Sequence, residues 1–134
     1  MKKYVILIFL FLSFIKTVVA CELENNNSLH SCLNTAFSII EMDICFGTEN
    51  DSCDKLLNDE YKKAMERADN EQKIKLRDME RLWLKFVELH CSIDVDFNGR
   101  ESKFGYNNCK ILETKKRIKE LKQYFIYEDG TAIK

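Results

Sequence analysis

Six cysteines are the residues of this sequence whose chemistry is most specific. None of them forms a C-x-x-C pair, and His30 and His90 lie outside the spacing of the usual zinc-ligand sets. Cysteines that hold no metal are normally paired as disulfides in exported proteins, because the reducing systems of the cytosol are absent there. The sequence therefore predicts three disulfides and neither a metal site nor another cofactor. The six positions are Cys21, Cys32, Cys45, Cys53, Cys91 and Cys109.

The pairing of these cysteines is not fixed by helical periodicity, because six cysteines allow fifteen pairings. Distance along the chain favours Cys91 with Cys109, a bond that would close the stretch between two helices and stabilise the fold by roughly 3 kcal/mol. Cys32 and Cys45 would bracket the first helix, and the two cysteines left over would pair with each other. An alternative for Cys53 is a small core residue, since it extends an apolar helical stripe by one turn.

No sequence motif for catalysis is present. The chain lacks G-x-S-x-G, H-E-x-x-H and a glycine-rich loop for phosphate. Cys91 directly follows His90, but adjacent side chains on a helix face different directions and do not form a catalytic pair. The chain has 22 acidic residues, so pairs of carboxylates are too common to indicate glycosidase chemistry. The sequence predicts a protein that is not an enzyme.

The first 20 residues have the pattern of an export signal. Lys2 and Lys3 precede an apolar run from Val5 to Ile15, and small residues follow before position 21. Lys16 interrupts the run well short of the roughly 20 apolar residues that a membrane span needs. We therefore expect residues 1–20 to be a signal peptide.

Removal of this signal can be read in two ways. Cleavage after Ala20 would release residues 21–134, whereas the segment Val18–Cys21 also resembles a bacterial lipobox, in which Cys21 is lipidated and anchors the protein to a membrane. Release leaves six cysteines, which can all form disulfides, whereas lipidation of Cys21 leaves five. The even number therefore favours release. We expect an exported protein, periplasmic or secreted, with the anchored lipoprotein as the alternative.

Residues 21–134 have the length of one domain with a modest core, expected at about residues 32–126. Removal of residues 1–20 takes away three lysines, so 18 basic residues face 22 acidic ones and the net charge becomes −4. A negative chain is a poor partner for nucleic acid. The sequence carries no signal for an oligomeric state.

Apolar side chains spaced by three and four predict an all-α, disulfide-stabilised bundle of about four helices. Leu76, Trp83 and Val87 widen the apolar face of the second stripe. The two strongest stripes are expected to pack on each other as a hairpin, with Trp83 as the largest contact. We also expect a first helix at Leu33–Ile44, a turn at Gly47–Asp51, a break at Asp69–Asn70 and a long loop at 98–106. The three main stripes are Leu57, Tyr61, Ala64, Met65 and Ala68; Met79, Leu82, Phe86, Leu89 and Ile93; and Ile111, Thr114, Ile118, Leu121 and Phe125.

Three signatures follow one another along the chain: D-x-x-L-N-x-x-Y, then W-x-x-F followed by a cysteine, then a cysteine followed by a threonine and an arginine. Together they resemble the LprI-like lysozyme-inhibitor family, and the similarity covers about residues 32–125. The signature residues are Asp54, Leu57, Asn58, Tyr61, Trp83, Phe86, Thr114 and Arg117.

The resemblance implies the two cysteine pairs that chain distance favours, and it makes the other two cysteines additions to the family pattern. Glu80 stands where family members usually carry glutamine, and Val87 where they usually carry arginine, so no role of that arginine is carried over. Asn58 and Tyr61 are interpreted as residues that lock the helix hairpin, because buried amide and phenol groups need hydrogen-bond partners.

The resemblance also implies a function, which is inhibition of lysozyme by binding; an envelope structural or interaction module of the same fold is the alternative. Animal lysozymes are strongly basic, so the stretch 41–60, with seven acidic residues and one lysine, is a candidate contact. Solvated helix faces explain these acids equally well. The predicted loop at 98–106 is a second candidate, unless its aromatic residues cover the core. The candidate contacts are Asp43, Glu49, Asp51, Arg100, Lys103, Phe104 and Tyr106.

Overall fold

Four helices make up the part of the chain that the computed structural model describes, which is residues 21, 23, 27–93, 95–96 and 99–126. No strand occurs in these segments, so the prediction of an all-α bundle of about four helices is confirmed. Among the described helices, none is long and apolar enough to span a membrane. The expected signal, residues 1–20, lies outside the described residues. The helices are α1 (Asn27–Thr35), α2 (Ile39–Arg67), α3 (Asn70–Ser92) and α4 (Arg100–Gln123).

The last helix, α4, organises the packing. α2 packs along it, α3 also packs against it, and α1 rests on α2. Ile111, Ile118 and Leu121 of α4 are fully enclosed, as the spacing of its apolar residues predicts. Because α4 is covered by two other helices, its charged residues Lys115 and Arg117 are buried as well.

Three disulfides tie the helices together, and no described cysteine is free. They fasten the N-terminal segment to α2, α1 to α2, and α3 to α4. In the chain-entropy picture, crosslinks of these spans each stabilise the fold by about 3–4 kcal/mol. The bonds are Cys21–Cys53, Cys32–Cys45 and Cys91–Cys109.

The boundary between α1 and α2 differs from the prediction. Ser38 caps α2, since its Oγ accepts a hydrogen bond from the Glu41 N–H at 3.2 Å while Glu41 Oε2 accepts one from the Ser38 N–H at 3.0 Å. This reciprocal pair is a capping box, and its S-x-x-E pattern is readable in the sequence. The expected single helix from Leu33 to Ile44 is therefore wrong, because the chain turns at Ala36–Ser38.

Residues Gly47–Asp51, expected to form a turn, lie inside α2. Phe46, Glu49 and Cys53 share one face of this helix and are buried. A glycine inside a helix costs about 1 kcal/mol relative to alanine. Burial of a side chain such as Phe46 contributes about 1.5–3 kcal/mol and outweighs that cost.

The expected long loop is also wrong, because α4 begins at Arg100. Phe104, in the second turn of α4, stacks on Phe46 of α2 with 5.5 Å between the ring centroids. This contact joins residues that are far apart in sequence, so no local pattern predicts it. The packing of Phe104 on the core orders the segment as helix.

Only one edge of the predicted apolar face of α3 is buried, the edge with Leu76, Trp83 and Val87. Leu76, Val87 and Cys91 are buried and Trp83 is half-buried, whereas the predicted stripe from Met79 to Ile93 is exposed. Each of the two helices α2 and α3 packs on α4 rather than along the other. The hairpin prediction is therefore wrong, and the apolar stripe of α3 is left without a partner in the described part of the chain.

Two further predictions about this region are confirmed. Leu57, Ala64 and Ala68 of the α2 stripe are buried. The chain breaks between α2 and α3, where Asp69 caps α3: its Oδ1 accepts from the Gln72 N–H at 2.8 Å, and Gln72 Oε1 accepts from the Asp69 N–H at 2.8 Å.

Candidate functional site

An open cleft of about 510 Å³ lies between α2 and α3. It exists because the two helices diverge from their tight connection and pack on α4 instead of on each other. Each wall is built with the same spacing, i, i+3, i+4 and i+7, which places four side chains on one helix face. The walls are Asp54, Leu57, Asn58 and Tyr61 from α2, and Arg77, Glu80, Arg81 and Leu84 from α3.

The α2 wall consists of the residues of the first signature, D-x-x-L-N-x-x-Y. Asp54 and Asn58 are exposed, Leu57 is buried and Tyr61 is half-buried. The Asn58 side-chain amide donates to the Asp54 carbonyl oxygen at 2.9 Å, a bond within α2. Asn58 therefore does not lock a helix hairpin, and its side chain is presented to the cleft.

The α3 wall adds two arginines that sequence reasoning did not single out. Arg77 has no ion-pair partner among the described residues, and Arg81 Nη1 approaches Asp78 Oδ1 only at 3.7 Å. Both side chains are exposed. Their spacing of i, i+3, i+4 and i+7 with Glu80 and Leu84 indicates that the four residues share one face of α3. That this face lies opposite α2 depends on the tertiary structure.

Behind the cleft, Arg117 of α4 is buried and bound to Glu80. Its Nε and Nη2 donate to the same carboxylate oxygen of Glu80, at 2.9 and 2.8 Å. Its Nη1 donates to Glu120 at 2.9 Å and to the Tyr124 hydroxyl at 3.0 Å. The guanidinium also lies 6.0 Å from the ring centroid of Trp83. These contacts make the signature residues Trp83 and Arg117 supports of the cleft wall.

The contacts of Arg117 hold it in its charged form. Desolvation alone lowers the pKa of the guanidinium. Hydrogen bonds to Glu120 and Glu80, together with the charge of Glu80, raise the pKa by more, so it lies above the ordinary value. Glu80 thus gives the buried arginine a counter-ion.

Of the remaining signature residues, Thr114 is buried on α4 and Phe86 is exposed on α3. Phe86 stacks against His90 with 5.1 Å between ring centroids. Phe86 points away from the cleft, since Leu84 and Arg81 occupy that side of α3. The structure therefore does not bring all signature residues to one place.

The acidic stretch 41–60 does not form one surface patch. Glu49 is 2% exposed and bound to Lys115 Nζ at 2.6 Å, with the Ser28 hydroxyl donating to its other oxygen at 3.0 Å. Asp43 is paired with Lys103 at 3.2 Å, and Asp51 is exposed. Glu49 is therefore unavailable to a partner, and helical rotation scatters the other acids around α2.

The second group of candidate contacts lies on the first turns of α4. Phe104 packs against the core, as the alternative for this segment proposed. The Tyr106 hydroxyl donates to Glu88 at 2.6 Å, and Lys103 is the partner of Asp43. The Arg100 side chain lies outside the described residues. Binding of a partner by these side chains stays a prediction, but the side chains belong to a helix and not to a loop.

One group of potential metal ligands occurs among the described residues, formed by Cys21, Glu49 and Cys53. Both sulfur atoms belong to the Cys21–Cys53 disulfide, and the carboxylate is bound to Lys115. A thiolate is needed to bind a metal ion, so this group is a structural cluster.

Comparisons with known proteins place this geometry in a family. The comparison with curated proteins found no match, and neither did the comparison with solved structures. A family model described as lysozyme inhibitor LprI matches residues 32–121. The matched segment contains all of α2 and α3, both walls of the cleft and most of α4. Since this match spans more than half of the 134 residues, the chain belongs to the LprI lysozyme-inhibitor family.

Proposed function

We propose that this protein is an exported lysozyme inhibitor that binds lysozyme and blocks it without catalysis. The observation that carries the proposal is the family match over residues 32–121, the segment that contains both cleft walls. Three disulfides support export, because such bonds persist in oxidising compartments. They also hold the helices rigidly, which reduces the entropy lost on binding.

The cleft between α2 and α3 is the surface that we propose for lysozyme. Arg77 and Arg81 present guanidinium groups that are free to pair with carboxylates. Glycosidases of the lysozyme type work with a pair of carboxyl groups in their substrate cleft. An arginine makes two parallel hydrogen bonds with a carboxylate, so these side chains fit such a target chemically. Asp54 on the opposite wall offers a negative group to the basic surface around it.

Export with release, rather than attachment to a membrane, is the second part of the proposal. A lipidated cysteine carries its lipid on the sulfur atom, and the sulfur of Cys21 is bonded to Cys53. Cys21 is also only 6% exposed, which leaves no room for an acyl glyceride. The two fates of Cys21 exclude each other, and the disulfide supports the released form.

The proposal is tested with the purified, disulfide-intact protein and an animal lysozyme acting on bacterial cell walls. We expect the clearing of the cell-wall suspension to slow in proportion to added protein until the two are present in equal amounts. Unchanged clearing at about tenfold excess over lysozymes of the animal classes would contradict the proposed function.

The position of the site is tested with single substitutions in the two walls. Asn58→Ala and Arg81→Ala each remove an exposed group, so the fold is preserved while the inhibition constant rises about tenfold or more. Lys122→Ala, which removes an exposed charge from α4, serves as the matched control. Equal inhibition by all three variants and the unmodified protein would place the lysozyme contact elsewhere.

The alternative function, an envelope interaction module with another partner, is favoured by one observation. The exposed stripe of α3 is a large apolar surface outside the cleft, and such surfaces mark sites of protein association. It is compatible with lysozyme binding, because the stripe and the cleft lie on different sides of α3.

A further inference from the structure

The apolar face of α3, together with the C-cap residue Ile93, consists of five large side chains that are exposed along four turns. They recur at spacings of three, four, three and four, the period that keeps side chains on one straight seam. At 1.5 Å per residue the seam is about 21 Å long. Its residues, with their exposed fractions, are Met79 (43%), Leu82 (66%), Phe86 (51%), Leu89 (72%) and Ile93 (78%).

This face is fixed in position by the rest of the fold. The neighbouring face of α3, with Leu76 and Val87, is buried. Asp69 caps the start of the helix, and the Cys91–Cys109 bond fastens its end to α4. The seam is therefore held rigidly in the orientation that exposes it.

We infer that this face packs against the same face of a second copy of the chain, forming a two-fold symmetric dimer. A seam with a period of 3.5 residues fits another helix that carries the same period, because the side chains of each helix fill the spaces of the other. A second copy supplies such a helix with the same length. A two-fold axis brings identical surfaces together, so no further complementary surface is needed.

The exposed area is sufficient for such a dimer. The five side chains expose roughly 500 Å² of apolar surface, near the upper range of the largest patches found on monomeric proteins. Two faces packed together would remove about 1,000 Å² from water, which is the lower limit for a specific interface. The dimer is therefore expected to be of moderate affinity.

The charges beside the seam also suit a second copy. Glu71 and Lys75 form an ion pair at 2.6 Å, and Asp78 and Lys85 flank the seam further along the helix. Both signs are present, so two copies do not meet with strong repulsion. A basic enzyme such as an animal lysozyme would instead be attracted by an acidic surface, which the seam does not offer.

Light scattering after size-exclusion chromatography and sedimentation velocity on the mature protein test this inference. We expect a dimer that dissociates on dilution between about 100 and 1 µM. Leu89→Asp places a charge within the seam and is expected to weaken dimerisation at least about tenfold. Ile40→Asp is the matched control, because Ile40 on α2 is 72% exposed like Leu89 but lies outside the seam.

A protein that is monomeric at about 100 µM, or an equal effect of Ile40→Asp and Leu89→Asp, would overturn the inference. Circular dichroism checks that both variants keep their helices. If the protein is monomeric and Leu89→Asp abolishes lysozyme inhibition, the seam belongs to lysozyme instead of a second copy. If deletion of residues 127–134 turns a monomer into a dimer, the C-terminal segment covers the seam. Dimerisation is measured without lysozyme, so it is decided separately from the proposed function.

Discussion

Replacement of Glu80 by glutamine separates the charge of the buried Glu80–Arg117 pair from its hydrogen bonds. Arg117 donates from Nε and Nη2 to a single oxygen of Glu80, and the side chains are 3% and 15% exposed for Arg117 and Glu80. A glutamine amide has one carbonyl oxygen, which can take the place of that acceptor. The substitution therefore keeps the two hydrogen bonds and removes only the negative charge.

The expected loss of stability follows from these contacts. Arg117 stays charged, so its hydrogen bonds to a glutamine oxygen still have an ionised donor, and the substitution removes only the attraction between opposite charges. We therefore expect Glu80→Gln to cost about 1–2 kcal/mol. Glu120 still accepts from Arg117 at 2.9 Å, which limits the loss. Glu80→Leu removes both hydrogen bonds and leaves a buried cation, and it is expected to cost about 3 kcal/mol or more.

Urea unfolding of the disulfide-intact protein, followed by circular dichroism, measures these free energies. Glu66→Gln is the matched control, because Glu66 is exposed on α2 and should change stability by less than about 0.5 kcal/mol. If Glu80→Gln is as stable as the unmodified protein, the charge of Glu80 does not stabilise the fold. If Glu80→Leu is no less stable than Glu80→Gln, the two hydrogen bonds to Arg117 do not stabilise it either.

Lys115→Met should destabilise the protein by about 3–5 kcal/mol in the same unfolding assay, because it leaves the buried Glu49 carboxylate unpaired; adding Glu49→Leu should recover most of that loss. Desolvation, with the hydrogen bond and charge of Glu88, raises the pKa of Tyr106 from 10.0 to about 12. The folded protein therefore holds the Tyr106 proton more tightly than the unfolded protein does. The stability that this gives is present below pH 10 and is lost as the pH rises through 12, and Tyr106→Phe should lack this decline. Glu88→Gln should lower the pKa of Tyr106 in an absorbance titration of tyrosinate. Intact-mass measurement of the exported protein should show three disulfides and no lipid on Cys21; a lipid adduct would contradict the released form.

Local patterns in the sequence determined the helical class and part of the core. The stripe around Leu57 and Ala64 is buried as its spacing predicts, and so are Ile111 and Ile118. The two helices that carry these residues, α2 and α4, pack on each other over much of their length, so the most apolar face of each is the face that is buried. The break between α2 and α3 lies where expected, and Asp69 caps the start of α3, because a capping residue acts on the backbone beside it.

The packing of α3 could not be predicted in this way. Two neighbouring faces of this helix are apolar, one with Leu76 and Val87 and the other with Leu82 and Leu89. Periodicity shows that side chains share a face, but it does not show which face α4 covers. The longer stripe is exposed because the position of α4, set by α2 and by the Cys91–Cys109 bond, favours the other one.

The sequence alone determined that the chain is a cysteine-rich helical protein related to lysozyme inhibitors, since composition, spacing and signatures are properties of neighbouring residues. Only the tertiary structure decided which charges are buried. Glu80 and Arg117 lie 37 residues apart, and nothing in the sequence indicates that their side chains are paired. Glu80 lines the cleft and Arg117 supports it from behind because three helices meet there, and a contact between distant segments leaves no periodic trace in the chain.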